Sequence, residues 1–177
     1  YLARALEERP ASVGLAVDVS VPACRRAARA HPRAGAVVAD AWASLPVHDG
    51  CAEVVLVVFA PRGLAELARV LAPGGRLVVL TPAAGHLGEL RGPLGLMDLD
   101  PRKDERLRQG ADPWFTVDDA TTTRYVVPLD RADVVRLVAM GPNAFHTGAD
   151  ELQRRTEALP ATTEVTVAAT VTTLRRR

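Results

Sequence analysis

The sequence predicts an α/β fold in which a largely parallel sheet carries helices on both faces. Three observations predict it. Short apolar runs alternate with stretches of helical spacing, and repeated strand-helix-strand order marks α/β chains. Those runs, of which Glu53 to Phe59 (EVVLVVF) is the most apolar, are continuous rather than alternating, as in strands covered on both faces. Leu64, Leu67, Ala68 and Leu71 fall at i, i+3, i+4 and i+7, one helical stripe, and Pro73-Gly74-Gly75 ends that helix and leads into the β-rich run Arg76 to Thr81, closed by Pro82.

In chain order, Tyr1 to Glu8 has helical composition and stops before Pro10. Val13 to Val19 is a strand with Asp18 near its end, and Ser20 is an N-cap for the helix that follows. Cys24, Ala27, Ala28 and His31 form the inner face of that helix, Arg25, Arg26 and Arg29 point elsewhere, and Pro32 ends it. Gly35 to Ala39 is a second strand closed by Asp40. Ala41 to Gly50 is a loop, with Pro46 and Asp49-Gly50 as turn formers. Glu53 to Phe59 is a third strand, running into Ala60-Pro61. Beyond Pro82, Leu87, Leu90 and Leu94 share a face of a short helix, Leu94 to Gln109 is mixed and charged, and Gly110 to Asp119 reads as loop. Thr121 to Pro128 is β-rich, Asp130 caps a helix with Val134, Leu137 and Val138 on one side, and Thr147, Asp150 and Glu151 open another that runs to about Leu159. Thr162 to Leu174 is the last strand.

Composition narrows the function. A chain of 177 residues is about one domain on a prior of roughly 100 to 200 residues per domain. A net charge of +1 does not announce a nucleic-acid binder, so any RNA surface has to be a local patch. Lys103 is the only lysine, and the Arg, Ala, Val, Pro and Gly bias looks like GC-rich coding, which discounts the arginine count as evidence for RNA. Cys24 and Cys51 are too few and too isolated for a disulfide framework or a zinc site, and no metal site is expected. No apolar run reaches the roughly 18 residues of a membrane span, and no signal-peptide pattern opens the chain, so a cytoplasmic setting without membrane association is expected.

Ligands of open α/β sheets bind outside the carboxyl ends of the strands, which here hold Asp18, Asp40 and Phe59-Ala60-Pro61. A carboxylate at Asp18 can accept from both hydroxyls of a ribose, and Asp40 can accept from an adenine amino group, with Ala41 or Trp42 against the ring. With the Pro-Gly-Gly turn, these signals point to an S-adenosylmethionine fold.

The runs GLAVDVS, ARAHP, VVADAW, VFAP, ELARVLAPGG and TPAAGHLGEL, continuing through DLDPRKDERL and MGPNAFH (Met140 to His146), closely resemble the RlmA group of 23S ribosomal RNA guanine-N1 methyltransferases. That group includes actinobacterial enzymes that confer resistance to tylosin- or mycinamicin-type macrolides. The resemblance implies a Rossmann-like class I methyltransferase sheet, S-adenosyl-L-methionine as cofactor with S-adenosyl-L-homocysteine as product, and 23S rRNA as partner, with a homodimer as a compatible assembly. Asp18 with Val19 would bind the ribose, Asp40, Ala41 and Trp42 the adenine, and Phe59, Ala60 and Pro61 would shape the pocket where methyl donor and guanine meet. Members of the group normally carry an N-terminal zinc module and a first strand ending in a Gly-rich loop. Neither is found here, so Tyr1 to Arg177 reads as an N-terminally incomplete methyltransferase domain, zinc is expected only with that module, and the strands flanking the missing one would lose a shared neighbour.

Methylation of guanine N1 needs in-line approach and a route for the N1 proton. The sequence does not identify the base: His86, just beyond Thr81-Pro82, and His146 are the candidates, and a capping, core-edge or RNA-phosphate role competes for each and is the favoured one. Trp42, Phe59, Trp114, Phe115 and Phe145 are the rings available to stack a flipped guanine. Arg62, Arg91, Arg102 and Lys103 could form a phosphate rim, or a solvated face paired with Asp100, Asp104 and Glu105. Competing readings are a small-molecule methyltransferase, a nicotinamide dehydrogenase, which also uses an acid after the second strand, and a non-catalytic remnant of the fold.

Overall fold

A computed structural model describes residues 1–100, 102–141 and 148–177. His146, Phe145 and Thr147 of the sequence reading lie outside them. In chain order the elements are α1 (Leu2–Glu7), β1 (Gly14–Asp18), α2 (Val21–Ala28), β2 (Ala34–Val38), β3 (Ala52–Val58), α3 (Leu64–Val70), β4 (Leu71–Pro82), α4 (Gly88–Leu94), α5 (Lys103–Ala111), β5 (Phe115–Asp130), α6 (Arg131–Ala139), α7 (Ala149–Glu157) and β6 (Thr162–Arg176). The α/β expectation holds.

The strands form two sheets, a parallel pair β1-β2 and a four-stranded sheet in the order β3-β4-β6-β5. The division falls between β1 and β3, the two strands expected to lose a shared neighbour. Its effect is visible in their side chains: Leu15 on β1 is 49% exposed and Leu56 on β3 is 40% exposed. The predicted coverage of both faces is therefore not met at these positions, because each strand is the last in its sheet. Unpaired, apolar strand edges of this kind are what proteins normally cover or blunt.

The chain clusters into two compact units, through which β4, β5 and β6 each pass. The first comprises Tyr1–Leu77, Pro113–Thr116 and Arg175–Arg177. Within it, Ser20 caps α2 as expected, its Oγ accepting the Ala23 amide at 3.3 Å. The buried Cys24 points inward, its Sγ lying 3.4 Å from the Asp18 carbonyl oxygen and 3.2 Å from that of Val37. The helix ends at Ala28, so His31 is not on its face; its Nδ1 instead accepts the Arg33 amide at 3.1 Å in the turn before β2. The Arg33 guanidinium donates to the carbonyls of Leu6, Arg9 and Ser12, tying the exit of α1 to the β1-β2 layer.

The helix α3 stops at Val70, earlier than the Pro-Gly-Gly signal implies. Leu71 is already extended at ψ 140°, and Pro73-Gly74-Gly75 lies inside β4. The proline is preceded by a residue it pushes out of helical geometry, Gly74 takes the left-handed conformation expected of the turn, at φ 72°, and Gly75 serves strand pairing. A Cβ on Gly75 would lie 2.8 Å from the Ala72 carbonyl oxygen and 3.1 Å from that of Glu53 on β3, a contact only glycine allows. The strand β5 begins at Phe115, within the stretch expected as loop. The Phe115 ring is fully buried, and that burial outweighs the turn preference of Asp118-Asp119.

The second unit comprises Val78–Asp112 and Val117–Leu174. Its core joins Leu90 and Leu94 of α4, Val134 and Val138 of α6, Leu152 of α7 and Val165 of β6. The helical spacing of Leu90 and Leu94 places both on the buried side, as expected. Asp130 caps α6 by accepting the Asp133 amide at 2.8 Å.

Candidate functional site

The two acids at the strand ends are built alike. Asp18 is the last residue of β1, and its Oδ1 accepts the amide of Ser20 at 2.8 Å. Asp40 follows β2, and its Oδ1 accepts the amide of Trp42 at 2.9 Å. Each carboxylate thus shapes its own turn with one oxygen. Both are exposed, and among the described residues the second oxygen of each has no hydrogen-bond partner. Because β1 and β2 run parallel with Asp18 opposite Val38, both acids stand at the same end of the pair. Val19 beside the first is exposed, and the Trp42 ring beside the second is 71% exposed. Two hydrogen-bond acceptors and an uncovered ring at one sheet end suit a nucleoside: a ribose diol at one acid, a purine amino group at the other, and an aromatic face for the base.

Beyond β3 the chain turns sharply. Phe59 has φ 48°, a left-handed conformation that is costly for a bulky residue. Pro61 fixes the next turn, and the Arg62 guanidinium donates to the Ala60 carbonyl at 3.4 Å. The residues Phe59, Ala60 and Pro61 are all exposed. A Cβ on Gly63 would lie 3.7 Å from the Ala41 carbonyl oxygen, so the loop after β3 meets the loop after β2. Asp40, Ala41 and Trp42 are thereby brought next to the segment that begins with the strained Phe59. Strain at a strand end that faces a candidate ligand site is where functional backbone distortion is usually found.

Sequence reasoning missed the support beneath this loop. Glu66 on α3 accepts the Leu45 amide at 2.6 Å and the Ser44 hydroxyl at 3.3 Å. Arg69, one helical turn on, donates to Glu66 Oε2 at 2.9 Å, to the carbonyls of Val47 and Leu45 at 2.8 and 3.1 Å, and to Asp49. The pair clamps residues 44–49. The Arg69 hydrogen bond, reinforced by the Leu45 amide, pulls the Glu66 carboxyl from 4.5 down to about 2, and Glu66 and Asp49 raise the Arg69 guanidinium in return. Glu66 and Arg69 at i, i+3 were legible as a helical pair; the loop they hold was not.

His86 lies in the second unit and is described there by itself. Its Nδ1 accepts the Ala168 amide at 3.2 Å, and its carbonyl oxygen accepts from the Arg91 guanidinium at 2.8 Å. Burial, with the Arg91 charge beside it, lowers its pKa from 6.5. A neutral ring whose Nδ1 accepts carries its proton on Nε2. That arrangement makes His86 a joint between β6 and the loop before α4, with no lone pair ready to take a proton. Arg91 is held by His86 and by the Met97 carbonyl, and so is committed to this fold. Asp100 pairs with Arg106, a residue outside the expected rim.

The chain is similar to several known proteins. Residues 1–79 match the family model described as a methyltransferase domain. The chain is 47% identical over 175 residues, 99% of its length, to a Streptomyces fradiae protein named 23S rRNA (guanine(748)-N(1))-methyltransferase. It is 48% identical over 168 residues, 95% of its length, to a protein of Micromonospora griseorubida provisionally named 23S rRNA (guanine-N(1)-)-methyltransferase. It spans 62% and 57% of these two relatives. Among solved structures, a protein from Bacillus halodurans C-125, described provisionally as a methyltransferase, superposes with TM-score 0.64, covering 98% of this chain and 86% of that one at 14% identity. A SAM-dependent methyltransferase of Methanosarcina mazei superposes with TM-score 0.54, covering 97% and 85% at 14% identity.

Proposed function

Since the chain has the Rossmann-like fold of S-adenosylmethionine-dependent methyltransferases and carries a methyltransferase-domain match over residues 1–79, we propose that it methylates N1 of a guanine in 23S ribosomal RNA. The observation that carries this reading is the 47% identity, over 99% of this chain and 62% of the relative, to the Streptomyces fradiae protein of that name. A ribosomal substrate goes with a cytoplasmic setting, and among the described residues no helix is long and apolar enough to cross a membrane.

The residues at the strand ends fit the adenosine part of the cofactor. Asp18 would hold the ribose hydroxyls, with Val19 beside it. Asp40 would accept from the adenine amino group, with Ala41 and the Trp42 ring against the base. Phe59, Ala60 and Pro61 would line the place where the guanine enters. When bound, the cofactor supplies a sulfonium-activated methyl group. That methyl group would be the one delivered to guanine N1, and the N1 proton would leave to water at this exposed strand end. In-line positioning of the two reactants is then the main source of rate, and the strained turn at Phe59 is the element of this chain suited to set it.

The test is methyl transfer. The protein, expressed from its complete reading frame, is incubated with methyl-labelled S-adenosylmethionine and 23S rRNA, and the digested RNA is analysed for its modified nucleoside. Labelled N1-methylguanosine is the expected product. Cofactor binding without label in RNA overturns the assignment and directs the search to small-molecule acceptors.

A further inference from the structure

We propose that the outer face of α2 is a docking surface for the RNA backbone, on which Arg25, Arg26 and Arg29 contact phosphates next to the cofactor end of β1. The inference rests on 23S rRNA being the substrate and says where this chain grips it.

The arginines are set apart by what surrounds them. From Val19 to Ala39 the sequence holds four arginines and no acidic residue. Several arginines outside this stretch find carboxylates: Arg4 pairs with Glu7 and Glu8, Arg69 with Glu66 and Asp49, Arg136 with Asp133, and Arg154 and Arg155 with Glu151. Arg33, the fourth of the stretch, spends its guanidinium on backbone carbonyls. Arg25, Arg26 and Arg29 are exposed, and among the described residues their guanidinium groups form no ion pair or hydrogen bond. GC-rich coding explains an excess of arginine over lysine. It does not explain a stretch of this length with three clustered arginines and no acidic residue.

Helix geometry gathers the three charges. Cys24 turns inward onto the ends of β1 and β2. Arg25 and Arg29 are four residues apart and Arg26 and Arg29 three apart, the spacings that bring side chains together on one surface. The cluster closes the last turn of α2, where the helix dipole favours cations; this explains why like charges are tolerated there, while the counter-charge must come from outside. Guanidinium forks suit phosphate oxygens, and a run of phosphates supplies repeated charge to match. Ser20, which caps the other end of this helix, donates its amide to Asp18. RNA held on α2 would therefore lie about two helical turns, on the order of 12 Å, from the proposed ribose site.

The experiment compares the full-length protein with two triple variants at Arg25, Arg26 and Arg29, one all glutamine and one all lysine. RNA affinity is followed between 50 and 200 mM salt, together with KM for RNA, kcat and cofactor Kd. We expect the glutamine variant to lose about two from the slope of log K against log salt, with KM for RNA up about 30-fold at low salt, kcat and cofactor Kd unchanged, and the lysine variant within about threefold of wild type. An unchanged salt slope in the glutamine variant overturns the proposal, as does equal loss in the lysine variant, which marks a structural role. Wild type that fails to bind 23S rRNA sinks the substrate assignment and this surface with it. Wild type that binds beside a glutamine variant of unchanged slope sinks the surface alone.

Discussion

The carbonyl oxygen of Asp18 accepts the amide proton of Ala39 at 3.1 Å, which sets Asp40 two residues past the level of Asp18 at the end of the parallel pair. Two carboxylates are held at one edge by backbone pairing, and each then uses one oxygen to fix its own turn. The spacing between the two carboxylates is thus a property of strand register, and it does not depend on side-chain packing.

Substituting these acids should affect cofactor affinity with little cost to the fold. Asp18→Asn keeps an oxygen for the Ser20 amide but loses the charge and the second acceptor. A hydrogen bond to a charged group contributes about 1.5–3 kcal/mol, so cofactor Kd should rise about 10- to 100-fold by calorimetry. Asp40→Asn should rise by less, because adenine offers one amino group where ribose offers two hydroxyls. An unchanged Kd for Asp18→Asn removes this residue from the site.

The strained Phe59 separates stability from activity. Its left-handed backbone costs about 1–3 kcal/mol, and glycine relieves that cost. The ring is 46% exposed, so its removal gives up little core. Phe59→Gly should therefore melt at the same temperature as wild type or higher, while kcat for methyl transfer falls at least tenfold through the lost ring and a looser turn. Phe59→Ala, which keeps the strained backbone and lacks the ring, should lose activity without gaining stability. A glycine variant of full activity shows that neither strain nor ring serves the reaction.

The clamp on residues 44–49 should give the protein an acid-labile component. Glu66 titrates at about 2 when folded and near 4.5 when unfolded. The unfolded chain takes up the proton first, so the stabilisation is complete above about pH 4.5 and is lost as pH falls from there through about 2. Its side chain is 19% exposed, and allowance for screening leaves about 1–2 kcal/mol. Urea melts at pH 6, 4 and 3 should show this decline in wild type and a flatter dependence in Glu66→Gln. Parallel pH profiles in the two proteins would refute the clamp.

The sequence disclosed these features unevenly, for physical reasons. Local signals carried through: Ser20 and Asp130 cap their helices, Leu90 and Leu94 share a buried face, and each of the apolar runs expected as strands is one. Where a residue's setting depends on a distant partner, the sequence was silent. Glu66 looks like an ordinary helical acid until residues 44–49 are placed against it. The apolar content of β3 implied cover on both faces, which Leu56 does not have, since coverage depends on a neighbouring strand rather than on the run itself. Phe59 was named from its place at a strand end and from resemblance, and no residue type announces a positive φ at phenylalanine.

In the second unit the core prediction is simple. Leu94 is fully buried among α4, α6 and α7, and truncation to alanine leaves a cavity costing about 2–5 kcal/mol. Leu94→Ala should lower the denaturation midpoint without changing the slope, and should leave cofactor Kd unchanged below the transition. A loss under 1 kcal/mol would place Leu94 outside the core.

His86 provides the sharpest division between structure and chemistry. Because burial and Arg91 lower its pKa in the folded protein, the unfolded chain binds a proton more readily below pH 6.5. Stability should therefore fall as pH drops from about 6.5 toward the lower folded value. His86→Asn places an amide oxygen where Nδ1 now accepts the Ala168 amide, and it removes the titrating group. This variant should fold, lose the pH dependence in that window, and retain kcat within about threefold. A general base would instead cost about 10²- to 10⁴-fold when replaced. Loss of that size in a folded Asn variant, with cofactor and RNA affinities intact, would restore His86 as the group that takes the N1 proton.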